Sequence, residues 1–79
     1  MPRFRFIWRA PAEPDVIAAL DAQGVYVTTG GRRRSGTESF RHQLEIEADS
    51  LEEADRRLRL TIEEAGGLPS DLDEGRELP

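Results

Sequence analysis

The sequence predicts an α+β domain, a two-layer sandwich built in the order β-α-β-β-α. Three observations predict it. Residues 3–10 and 40–48 alternate bulky apolar and polar side chains with period two, as half-buried strands do. Residues 50–65 repeat apolar side chains at helical spacing behind a capping signal. Glycines at 24 and at 66–67 stand where both helical stretches should stop.

Arg3-Phe4-Arg5-Phe6-Ile7-Trp8-Arg9-Ala10 places Phe4, Phe6, Trp8 and Ala10 on one face and Arg3, Arg5, Ile7 and Arg9 on the other. Pro11 and Pro14 end the segment because neither donates to a ladder. Pro14 and Asp15 then suit the first turn of a short helix whose apolar stripe is Val16, Ile17 and Leu20. Val25-Tyr26-Val27-Thr28-Thr29 is β-branched and aromatic, hence a second strand. GGRRRSGTES follows and reads as a hairpin loop. In the third strand Phe40, His42, Leu44, Ile46 and Ala48 share a face, opposite Arg41, Gln43, Glu45 and Glu47.

Ser50-Leu51-Glu52-Glu53 is a capping box, and Leu51, Ala54, Leu58, Ile62 and Ala65 form the stripe behind it. Glu52–Arg56, Glu53–Arg57 and Asp55–Arg59 are spaced for ion pairs along the exposed side, where Leu60 also falls. The single domain therefore spans residues 1–67. Residues 68–79, LPSDLDEGRELP, combine proline, glycine and a net acidic balance and are expected to form a mobile tail.

A crossover joins the first two strands, and the hairpin lets the third insert between them, antiparallel to both, with both helices on one face. This three-stranded, antiparallel-type sheet resembles the ferredoxin-like split β-α-β arrangement without its last strand. That likeness is to a fold with many functions and implies none. Pairing strands one and three so that residue numbers add to fifty joins Phe4 to Ile46, Phe6 to Leu44 and Trp8 to His42 on the inner face. The same register sets Arg3 against Glu47, Arg5 against Glu45, Ile7 against Gln43 and Arg9 against Arg41 outside. Strand one is then an open edge, and edges of that length are usually covered, charged or paired with another chain. A fold-back of Glu77-Leu78-Pro79 is the less favoured cover, being short and ending in proline.

The net charge of -5 hides an asymmetry: residues 1–44 carry seven arginines against four acids, residues 45–79 four against twelve. A polyanion would not be drawn in by the whole-molecule field, although Arg32, Arg33 and Arg34 form a local basic cluster. The chain has no cysteine, and one histidine with scattered carboxylates is a poor metal set, so no metal or cofactor is expected. No apolar run reaches membrane-spanning length and the N-terminus lacks a signal-peptide core, which leaves a cytoplasmic protein as the expectation.

Catalysis is not expected. His42 shares parity with core residues and has no neighbouring nucleophile in sequence. Gly31, Gly36 and Thr37 mimic phosphate-loop spacing, but the lysine is missing and no helix follows. The expected function is a small non-catalytic protein-interaction or regulatory module, acting through its sheet surface or edge and self-associating. Its contact would include Ile7, Arg9, Tyr26 and Arg41, with itself or a larger protein as partner and no membrane. The alternative is a nucleic-acid-associated regulator whose Arg32, Arg33 and Arg34 loop holds phosphates.

Overall fold

A computed structural model describes the backbone of every residue except Ala12, Ser35 and Gly36, and the side chains outside residues 12 and 29–40. Strand β1 spans Arg3–Trp8, helix α1 Pro14–Ala22, β2 Tyr26–Arg34, β3 Thr37–Glu47 and helix α2 Leu51–Glu64; a single 3-10 turn at Pro69–Asp71 leads to β4, Arg76–Glu77. The sheet order is β2-β3-β1-β4, every neighbouring pair antiparallel.

The β1–β3 register is the one that strand alternation requires: Arg3↔Glu47, Phe4↔Ile46, Arg5↔Glu45, Phe6↔Leu44, Ile7↔Gln43 and Trp8↔His42. A shift by one residue would turn three aromatic rings into water, so burial fixes the pairing. Phe4, Phe6 and Trp8 join Leu44, Ile46, Val16, Leu20, Ala54, Leu58 and Ile62 in one buried cluster, which puts both helices over the same face. The ladder stops at Trp8, so Arg9 has no partner at Arg41 within it.

Both helices are closed as their sequences imply. Ser50 Oγ accepts from the Glu53 amide at 3.1 Å, and the Glu53 carboxylate accepts from the Asp49 amide at 3.1 Å. At the other end of α2, Gly66 adopts φ +94°, and the Gly66 and Gly67 amides donate to the Glu63 and Ile62 carbonyls. That is a Schellman cap, and its left-handed residue favours glycine. Leu60 is exposed, and so is Leu68, at 63%. Of the ion pairs foreseen along α2, Asp55–Arg59 closes at 2.9 Å.

Three expectations are corrected. The sheet has four strands rather than three, because residues 68–79 fold back instead of standing off as a tail. Their backbone bonds to the outer side of β1: Arg9 N–H donates to the Asp71 carbonyl (2.9 Å), Asp73 N–H to Ile7 (2.8 Å) and Leu78 N–H to Arg3 (2.7 Å). Phe4 pairs with Glu77 and Arg5 with Arg76, while Trp8 forms an isolated bridge with Leu72. Leu72 enters the core at 4% exposure, which supplies roughly 1.5–3 kcal/mol to hold the segment down.

The second correction follows from the first: the edge of β1 is closed by its own chain, so it offers no free edge to a partner. The third concerns GGRRRSGTES. Rather than looping out from Gly30, the strands stay paired through Gly30↔Arg41, Gly31↔Phe40, Arg32↔Ser39, Arg33↔Glu38 and Arg34↔Thr37. Only Ser35 and Gly36 separate the last pair, and they lie outside the described residues. Glycine and arginine favour strands weakly, but a hairpin already in register extends them by backbone bonding.

Candidate interaction surface

The face of the sheet turned away from the helices collects the odd-numbered positions of β1 and β3 and the even-numbered positions of β2. Arg5 Nη2 meets Glu45 Oε1 at 2.9 Å with both side chains largely covered. Arg3 and Glu47 approach only to 3.9 Å and stand mostly in solvent. Arginines of β1 facing glutamates of β3 thus form a cross-strand charge ladder, in which exposed pairs contribute little each. These arginines are engaged inside the molecule.

The four residues expected at a contact do not form one cluster. Ile7 is half-buried beside Gln43 in the middle of this face. Tyr26 opens β2 opposite Glu45 and is 64% exposed, a large ring left in water at the edge of the sheet. Arg41 is exposed on β3 opposite Gly30, past the point where β1 ends. Arg9 is diverted: its Nε lies 2.6 Å from Asp73 Oδ2, tying β1 to the C-terminal segment. The side chains of Arg32, Arg33 and Arg34 lie outside the described residues; their backbone sits in β2.

The two outer strands differ sharply. On one side β4 is two residues long and β1 behind it is bonded. On the other, β2 runs for nine residues, and among the described residues no strand pairs with its outer edge. Beyond His42, β3 also loses β1 as a neighbour, so Gly30–Arg34 and Thr37–Arg41 form a two-stranded arm of roughly 15 Å. The arm carries Arg32, Arg33, Arg34 and Arg41 against Glu38. At the other end of β2, Tyr26 borders a cleft of about 460 Å³ with Met1, Arg3, Gln23, Glu47 and Arg57.

The sequence paired Asp55 with Arg59 but did not show that the pair secures the C-terminal segment. Asp55 grips Arg59 Nε through both oxygens (3.0 and 2.9 Å), and the far side of that guanidinium donates to the carbonyls of Pro69 (2.7 Å) and Leu72 (3.2 Å). Gly75 lies directly on the Phe6 ring, with no room for a Cβ. The apolar Leu72 and the glycine at 75 were the available signals.

His42 is fully buried. Its ring packs on Trp8 with centroids 5.0 Å apart at 35°, and its Nε2 stands 3.1 Å from the Ala10 carbonyl. A carbonyl only accepts, so Nε2 carries the proton in that contact. Among the described residues no group of three or more His, Asp or Glu is arranged for a metal ion, and no helix is long and apolar enough to cross a membrane. Comparison with known proteins gave no matching family model, no matching curated protein and no matching solved structure.

Proposed function

We propose that the chain is a small non-catalytic protein-interaction module that works through the outer edge of β2 and the sheet face beside it, and that it associates with itself. One observation carries the reading: the C-terminal segment seals β1, while the nine residues of β2 keep an outer edge with which no strand among the described residues pairs. An unpaired strand edge is a template for another strand, with backbone bonds giving affinity and alternate side chains giving selectivity. Ile7, Tyr26 and Arg41 then belong to the contact or its rim. Arg9 supports it indirectly by holding Asp73. We assign the topology to the ferredoxin-like split β-α-β arrangement, its last strand reduced to Arg76–Glu77; the order β2-β3-β1-β4 supports this.

Proline scanning of β2 tests the reading. Alternate amides point to opposite edges, so of Thr28→Pro and Thr29→Pro one removes an amide from the free edge and the other breaks the ladder with β3. The variant that keeps the wild-type melting temperature is the edge-blocked one. It should lose the protein, or the second copy, that the wild-type chain captures from nuclease-treated native lysate. Wild-type capture by the stable, edge-blocked variant would refute the reading.

A second reading is favoured by the arm. A basic two-stranded ribbon reaching past the body can lie against a phosphate backbone, as β-ribbon nucleic-acid readers do. It requires capture that nuclease abolishes, that weakens steeply with salt, and that falls when Arg32, Arg33 and Arg34 all become alanine.

A further inference from the structure

The geometry points to a second copy of this chain as the occupant of the β2 edge, paired antiparallel about Gly30 so that facing residue numbers add to sixty. The inference rests on the reading that this edge is the contact, and it names the partner and the register.

Charge along β2 favours the antiparallel orientation, and the glycines at its middle favour a dyad at Gly30. Tyr26, Val27, Thr28 and Thr29 are uncharged, Gly30 and Gly31 follow, and the three arginines close the strand. A parallel pairing of two such strands in register sets three like charges face to face, which is unfavourable at every pair. Antiparallel pairing about Gly30 places Arg34 opposite Tyr26, Arg33 opposite Val27 and Arg32 opposite Thr28 of the other copy. Each arginine position then faces an uncharged one, and the position of Arg34 falls opposite that of the exposed Tyr26. At the dyad two glycines meet, with no side chains to hold the backbones apart.

Parity agrees with the same solution. Facing numbers of even sum bring together positions of one face, so the open-face position of Tyr26 meets that of Arg34, and Thr28 meets Arg32. Both helical layers therefore fall on the same side of one continuous eight-stranded sheet. The arm supplies the need for a partner. Among the described residues Gly30–Arg34 has β3 as its one strand neighbour in a single copy, and two-stranded ribbons are marginal in water. In the pair it lies along Tyr26–Gly30 of the other copy and gains a second neighbour.

Thr28 offers a clean test, because its side chain is exposed and its partner within the sheet is Gln43. Sedimentation equilibrium should find a dimer for the wild-type chain. Thr28→Glu should tighten it and Thr28→Arg should loosen it, each by roughly three- to tenfold over the two symmetric contacts with Arg32. Both variants should melt with the wild type. The chain contains no cysteine, so a second measurement is available. Mixing Thr28→Cys with Arg32→Cys under mild oxidation should give the mixed disulfide in preference to either homodimer.

Dissociation constants that move the same way in both Thr28 variants, or homodisulfides that outrun the mixed one, would overturn the proposed register. A wild-type chain that stays monomeric to about 1 mM would overturn the second copy as partner. If that monomer captures a protein that the edge-blocked proline variant loses, the interaction module stands, and its self-association falls together with this inference. If it captures nothing, or only nuclease-sensitive material, both fall.

Discussion

Asp55 clamps Arg59 from one side, 2.9 Å from its Nε, and so aims the other side of the guanidinium at the carbonyls of Pro69 and Leu72. An ion pair within one helix becomes the latch of a segment that lies beyond it. Planar, multi-pronged donation of this kind is available to arginine and not to lysine. Arg59→Ala should destabilise the fold by about 1–3 kcal/mol, since two carbonyls lose a charged donor. Arg59→Lys should recover less than half of that loss in urea unfolding. Full recovery by lysine would mean that charge alone, and not the fork, secures the segment.

Gly75 and Phe6 make a stricter demand. A Cβ at position 75 would overlap the buried Phe6 ring, so Gly75→Ala must shift either the strand or the aromatic. The expected loss is about 1–3 kcal/mol, as for other overpacked cores. Glu74→Ala, one residue earlier and exposed, should change the melting midpoint little.

Trp8 is fully buried, yet among the described residues its indole Nε1 has no hydrogen-bond partner. Removing that donor relieves a desolvated polar group at the same time as it removes packing area. Trp8→Phe should therefore cost less than about 2 kcal/mol, whereas Trp8→Ala should cost about 3–5 kcal/mol through the cavity it leaves. Denaturation followed by circular dichroism, rather than by the lost tryptophan fluorescence, reads both.

The charge ladder predicts coupling of modest size. A double-mutant cycle on Arg5 and Glu45 should return about 0.5–1 kcal/mol at low salt, because the pair is short but partly in solvent. The weaker Arg3–Glu47 contact at 3.9 Å should return close to nothing.

The legible and illegible parts of this chain divide along physical lines. β1 and β3 could be paired from sequence because both alternate strictly and only one register buries Phe4, Phe6 and Trp8 while matching Arg5 to Glu45. Helix α2 was readable from Ser50, Glu53 and the stripe through Leu58 and Ile62. β4 was not, because two residues carry no periodicity and its backbone bonds to β1 leave no side-chain signature, while the signals beside it, Leu72 and Gly75, are isolated. The arm was hidden for a related reason: glycine and arginine look like loop until the hairpin register carries them into the ladder. Of the residues expected at a contact, Ile7 and Tyr26 could be placed on the open face by parity. Arg9 could not, because its partner Asp73 lies 64 residues away along the chain.

The account depends on a sealed edge at β1 and a bare one at β2. Native-state amide hydrogen exchange reads the seal directly at Arg9, Asp73 and Leu78, whose N–H groups bond across it. The account predicts exchange at these three amides slowed by orders of magnitude relative to an unstructured chain, and restored by Arg59→Ala. Exchange at free-chain rates in the wild-type protein would mean that β1 is open, and the case for β2 as the contact would be lost with it.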